Sequence, residues 1–148
     1  MTREEKGMEI FSRGYNCAQS VVGAFADRIN IPWDEAVKMA SPFGGGMGRM
    51  REVCGAVSGM FIVLGCLKGY SAPDRETQAK LYENVQCLSR RFREENGSII
   101  CRELLGLDEK PQDPTPDKRD AGYYKKRPCR ELVGTACRIL DDYLNSLG

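Results

Sequence analysis

The sequence predicts an all-α protein, a compact multi-helix bundle of about six or seven helices. Three observations predict it. Apolar residues recur at intervals of three and four in segment after segment. Each such segment follows a capping residue or proline and ends near glycine, asparagine or proline. No convincing run alternates apolar and polar residues as a half-buried strand would. The 148 residues, 41% of them hydrophobic, suit a single domain over 1–148 with a real core.

The elements follow in order. Thr2 to Arg13 reads as a first helix, with Thr2 and Glu5 in a capping-box pattern and Met8 and Phe11 opening an apolar face. Gly14 stops it. Asn16 caps a second helix whose stripe is Ala18, Val21 or Val22, Phe25 and Ile29, with Cys17 in its first turn. Pro32 opens a third helix through Met39, and Ser41-Pro42 ends it. A glycine-rich segment leads into a helix from about Glu52 to Lys68. Ser71-Ala72-Pro73-Asp74 caps a long helix with the stripe Leu81, Val85, Leu88 and Phe92, broken at Asn96-Gly97. A short helix carries Cys101. The stretch 108–128 is charged and holds four of the seven prolines, which predicts a long surface loop. The last helix runs from near Cys129 to Leu147 on the stripe Leu132, Ala136, Ile139, Tyr143 and Leu147.

The chain is organised around Gly44-Gly45-Gly46-Met47-Gly48-Arg49-Met50-Arg51-Glu52-Val53-Cys54-Gly55-Ala56-Val57-Ser58-Gly59. Eight of the 16 glycines fall between Gly44 and Gly69, although each interior glycine costs a helix about 1 kcal/mol against alanine. Gly55 and Gly59 share one helical face and admit a close neighbour. The upstream glycines permit left-handed turns and can aim backbone N–H groups at an anion. The helix dipole, with Arg49 and Arg51, is expected to favour a Cys54 thiolate. The stretch is neither a P-loop nor a dinucleotide fingerprint. Residue types alone favour a tight loop feeding a close-packed helix slightly over a reactive site.

Composition removes whole classes of chemistry. There are seven cysteines and no histidine, which excludes Ser-His-Asp and Cys-His catalysis, histidine metal ligands and histidine-ligated haem. The odd cysteine count and the N-terminus, charged with no apolar run behind it, lead us to expect reduced thiols in a cytoplasmic protein. The net charge of +1 gives no reason to expect nucleic acid as a partner. The longest uncharged run, Val53 to Leu67, is too short for a membrane span of about 20 residues.

Geometry prunes the cysteines. Cys54 and Cys66 would lie about 18 Å apart along one helix, and Cys129 and Cys137 about 12 Å. At most one of each pair belongs to a common site. Cys66, Cys87 and Cys137 sit among apolar neighbours inside helices and read as small buried residues. Cys17, Cys54, Cys101 and Cys129 each stand at or near a helix start. Cys101-Arg102-Glu103-Leu104-Leu105-Gly106 is echoed by Cys129-Arg130-Glu131-Leu132-Val133-Gly134, a pattern of two equivalent sites or a coincidence of common helix formers. The four are far apart in sequence, unlike zinc knuckles or ferredoxin runs, so spacing alone leaves four separate thiols as the default.

Cys17, then Cys54-Gly55-Ala56-Val57-Ser58-Gly59, then Cys101 and Cys129, resemble the C-GCAxxG-C-C family of redox-active proteins. The family name prints the middle motif as G-C-A, whereas the residues here read Cys54-Gly55-Ala56. The similarity extends over roughly Gly14 to Leu140 and includes Gly44 to Met50 and Leu64-Gly65. It implies a small, mostly helical, bacterial-type cytoplasmic protein called redox-active on account of its four cysteines. A weaker resemblance to the non-haem part of split-Soret cytochromes implies an iron–sulfur cluster, and this chain has no haem-attachment motif.

The leading expectation is a redox protein in which Cys17, Cys54, Cys101 and Cys129 converge on an iron–sulfur cluster. Gly44, Gly45, Gly46, Gly48 and Arg49 then form the cofactor-binding loop, bent around the sulfurs with its amides pointed at them. Arg49, Arg51, Arg102 and Arg130 either offset the site's charge or are solvated. One alternative is a metal-free dithiol/disulfide protein pairing Cys54 with Cys101 or Cys129. The other is a non-catalytic module held by a Cys₄ zinc ion. The redox partner is open, and the glycine-faced helix makes a homodimer an expectation.

Overall fold

The computed structural model describes residues 1–107 and 113–147. The longer helices are α1 (Arg3–Ser12), α2 (Cys17–Ala24), α4 (Trp33–Ala40), α6 (Gly55–Lys68), α7 (Arg75–Asn96) and α10 (Cys129–Ser146). Single-turn pieces bring the number above the expected six or seven: α3 (Ala26–Ile29), α5 (Gly44–Met47), α8 (Cys101–Leu104) and α9 (Ala121–Lys126). Among the described residues the only β pairing is an isolated antiparallel bridge between Val53 and Ile100. No helix among them is long and apolar enough to cross a membrane.

The caps read in the sequence are formed. Thr2 accepts from the Glu5 amide, Asn16 makes a reciprocal capping box with Gln19, and Asp74 accepts from the Thr77 amide. Left-handed Gly97 ends α7. Each cap of this kind stabilises its helix by about 1 kcal/mol.

α2 is the hub, packing against α1, α4, α6 and α10. It is therefore buried on nearly every side, with Ala18, Val21, Val22, Gly23 and Ala24 all out of solvent. Around it lie Ile10 and Phe11 of α1, Val57, Met60, Val63 and Leu64 of α6, Leu88 and Phe92 of α7, and Val133, Leu140 and Leu144 of α10. Full burial of each such side chain is worth about 1.5–3 kcal/mol. α1 lies along α10. α7 contributes one face only, and beside that face the Tyr143 hydroxyl donates to Asn84 Oδ1 at 2.6 Å.

Gly55 and Gly59 let α2 close on α6. A Cβ on Gly55 would stand 3.1 Å from Cys17 Cβ, and one on Gly59 would stand 2.8 Å from Val21 Cβ. This face, the basis for expecting a homodimer, is covered within the chain.

Four local readings are corrected. The second helix breaks at Phe25, and Ile29 belongs to α3. α6 starts at Gly55 rather than Glu52, because residues 52–54 pair with 99–101 instead of coiling. Leu147 is 38% exposed, beyond the packed part of its stripe. The stretch 108–128 is not all loop: Asp120 caps α9, whereas 108–112 lie outside the described residues.

Candidate functional site

Four elements bring Cys17, Cys54, Cys101 and Cys129 to the wall of one cavity of about 370 Å³. Cys17 is the first residue of α2, Cys54 caps α6, Cys101 opens α8 and Cys129 opens α10. The two middle cysteines are set side by side by backbone pairing. The Cys54 amide donates to Ile99 O at 2.7 Å, and the Cys101 amide donates to Glu52 O at 2.6 Å. Cys17 and Cys129 lie close enough that each thiol shifts the other's titration. Cys66, Cys87 and Cys137 are absent from the cavity wall. Cys137 is buried as expected, Cys87 is half-buried, and Cys66 is exposed on the last turns of α6, contrary to the reading of a buried residue.

The glycine loop forms another wall, with Gly44, Gly45, Gly46, Gly48, Arg49 and Arg51 lining the cavity. Its backbone is left-handed through Gly45 (φ 69°), Gly46 (φ 69°), Met47 (φ 66°), Gly48 (φ 60°) and Arg49 (φ 68°), and again at Arg51 (φ 60°). Side chains in this region cost about 1–2 kcal/mol each, so Met47, Arg49 and Arg51 store strain. The loop is tied by its own amides. Arg49 donates to Gly44 O at 3.3 Å, Arg51 to Gly45 O at 3.2 Å and Glu52 to Gly46 O at 3.0 Å. The Gly48 amide likewise donates to Gly44 O rather than toward a sulfur. What glycine permits is approach: a Cβ on Gly46 would stand 2.6 Å from Cys101 Cβ. The Asn16 side chain joins α2 to this region by donating to Ser41 O at 3.0 Å.

The remaining wall comes from the stretch read as surface loop. Pro114, Pro116, Asp117, Arg119, Tyr123 and Arg127 line the cavity. Asp117 clasps this strap, bridging Arg49 at 3.5 Å and Arg127 at 3.4 Å. Arg49 Nε also donates to Asp113 O at 3.0 Å. Arg119 donates to the carbonyls of Phe11 and Tyr15, and its guanidinium stacks 3.9 Å from the Phe11 ring centre. The proline run and the Tyr123-Tyr124 pair were the signals available for this strap.

Environment sets each thiol differently. Burial pushes Cys54 up to about 12, although the Ala56 and Val57 amides pull it down. The expected Cys54 thiolate is therefore corrected, because desolvation outweighs the helix start. Burial also raises Cys101, against the hydrogen bond and charge of Arg51. Cys17 is raised well above its ordinary value, first by the hydrogen bond with Cys129 and then by burial. Cys129 receives the opposite effect. The bond from Cys17 brings it down to about 7, with help from Tyr123, Arg127 and Arg51.

Arg51 is 4% exposed and donates from Nη1 to Cys101 Sγ at 3.6 Å. Arg130 instead donates to Ser12 Oγ at 2.8 Å.

A protein-family model described as "Putative redox-active protein (C_GCAxxG_C_C)" matches residues 15–143. The chain belongs to this family. A relative from Archaeoglobus fulgidus, described as an uncharacterized protein, is 27% identical over 144 residues, covering 92% of this chain and 89% of its own. No solved structure matches the chain.

The donor set can be compared with what each candidate group demands. Among the described residues, no three cysteine, aspartate or glutamate side chains stand close enough together to hold a metal ion. The four thiols line the wall of one cavity. Four cysteines without histidine are the donor chemistry of an iron–sulfur cluster, whose ligands are spread over several metal atoms.

Proposed function

We propose that this protein is a cytoplasmic electron carrier in which Cys17, Cys54, Cys101 and Cys129 hold an iron–sulfur cluster in the cavity between α2, α6, α8 and α10. One observation carries the reading. Four cysteines from four separate segments line a single cavity, and the other three do not. When bound, such a cluster supplies one-electron transfer at a potential tuned by net charge, hydrogen bonds and exposure. The chain's own residues supply the rest. The loop at Gly44, Gly45, Gly46 and Gly48 allows backbone to approach the sulfurs without side chains between. Arg51 places a positive charge beside Cys101, and the strap clasped by Asp117 and Arg49 limits water.

Anaerobic purification followed by iron and sulfide reconstitution tests this. Wild-type protein and Cys66→Ser should take up iron and show visible absorption, whereas serine at 17, 54, 101 or 129 should lose most of it. A wild-type protein that stays colourless and iron-free after reconstitution refutes the cluster.

A second reading rests on the closeness of Cys17 and Cys129 in the cavity wall, where each thiol shifts the other. This pair would lose two S–H bonds, form one S–S bond, and release two protons and two electrons to a disulfide or other two-electron acceptor. Mass spectrometry of the oxidised, metal-free protein would then show one disulfide joining 17 to 129. A protein with all seven thiols still free after oxidation would remove this reading.

A further inference from the structure

We propose that Arg51 is a fixed buried cation kept for an anionic occupant of the sulfur cavity, setting its reduction potential rather than supporting the fold. The proposal deepens the cluster reading and rests on it for the identity of the occupant, since a cluster with four thiolate ligands carries net negative charge.

Three features of Arg51 carry the inference. Its side chain is almost wholly buried, yet its Nε has no hydrogen-bond partner among the described residues. No carboxylate among them bridges it, whereas the neighbouring Arg49 and Arg127 share Asp117. Among the described residues its side chain hydrogen-bonds to a thiol, Cys101 Sγ, at 3.6 Å. A buried guanidinium with a free donor and no counter-charge is costly, and proteins normally pair it.

The backbone adds to this cost. Arg51 sits at φ 60°, in the left-handed region that disfavours side chains. The arrangement is unfavourable by its own contacts on two counts, and an anionic occupant would offset the first, the uncompensated buried charge. Among the described residues the cavity wall carries Arg49, Arg51, Arg119 and Arg127 against one acid, Asp117. Arg119 is engaged by backbone carbonyls and by the Phe11 ring. Arg51 is therefore the arginine of the wall whose buried Nε donor has no partner among the described residues. A cation at that position favours the more negative, reduced state of a bound centre and raises its potential.

Arg51→Met and Arg51→Lys test this in two arms. In the metal-free protein, Arg51→Met removes an uncompensated buried charge while keeping an apolar stem. Its melting temperature should equal or exceed that of wild type. A drop of several degrees would make Arg51 a structural residue and overturn the proposal. In the iron-loaded protein, a redox titration followed by electron paramagnetic resonance should show the reduction equilibrium of Arg51→Met weakened at least tenfold. That is about 59 mV downward for one electron. Arg51→Lys, which retains the charge, should stay nearer wild type. An Arg51→Met protein with full iron and an unchanged potential overturns the proposal while leaving the cluster intact. Wild-type protein that takes up no iron refutes the cluster instead, and the melting arm still decides whether Arg51 serves the fold.

Discussion

Gly59→Ala should destabilise the protein, while Gly65→Ala, two turns along the same helix, should stabilise it. Both residues lie within α6. A Cβ on Gly59 would stand 2.8 Å from Val21 Cβ and 3.1 Å from Ala18 O, whereas a Cβ on Gly65 would meet nothing within 4 Å. The Gly59 contacts are with a branched carbon and a backbone oxygen of α2, neither of which can swing aside. Overpacking of this kind costs about 1–3 kcal/mol. Alanine's better helix propensity returns about 1 kcal/mol. The net loss for Gly59→Ala is then about 1–2 kcal/mol, at the rigid end of that range. Gly59→Val adds two methyls to the same clash and should cost more than about 3 kcal/mol. Gly65→Ala has only the propensity gain, up to about 1 kcal/mol, or about 2–4 °C in melting temperature. Urea denaturation of the metal-free proteins, followed by far-ultraviolet circular dichroism, measures all three. If Gly59→Ala stabilises as much as Gly65→Ala, the close approach of α2 to α6 is wrong. The placement of Cys17, which α2 carries, would fall with it.

The other predictions concern the cavity wall. Gly46→Ala should lower iron uptake while leaving helix content nearly unchanged. The added Cβ would press on Cys101 Cβ at 2.6 Å from a φ of 69°, a backbone cost of about 1–2 kcal/mol. Iron analysis and circular dichroism on one sample check both halves. In metal-free protein, alkylation at Cys129 should reach half its plateau rate near pH 7, because its thiol is brought down to about 7. Cys54, pushed up to about 12, should stay almost unreactive across the same range. For stability the sign follows: Cys129 contributes above its unfolded value of about 8.5 and loses that contribution as pH falls through 7. Peptide mapping that finds Cys54 alkylated first at neutral pH would contradict this ordering. Asp117→Asn should cost under about 1 kcal/mol, as exposed ion pairs do. It should nevertheless speed limited proteolysis of 113–127, because Arg49 and Arg127 lose their shared partner. An unchanged cleavage rate would mean that the clasp does not hold the strap.

Much of this protein was legible in the sequence, and the legible part is local. Helix existence and caps follow from neighbours three and four residues apart, so Asn16, Asp74 and Gly97 could be assigned from residue type. The four cysteines at helix starts were identifiable in the same way, and Gly55 with Gly59 marked where another helix would close. What a local pattern cannot carry is the environment that a distant segment supplies. Arg51 reads like any solvated arginine until Cys101, fifty residues on, is folded against it. Cys54 reads as an activated thiol because the helix start is local. The burial that reverses its shift comes from the segments packed around it. The 113–127 stretch looks like surface because its prolines and charges are typical of loops, yet those charges pair with one another and with carbonyls across the cavity. Sequence alone therefore determined the longer helices and which sulfurs stand at their ends. Tertiary packing alone decided which sulfurs share a cavity, which thiol ionises and which arginine is buried without a counter-charge, because desolvation and Coulomb interactions depend on distance in space rather than along the chain.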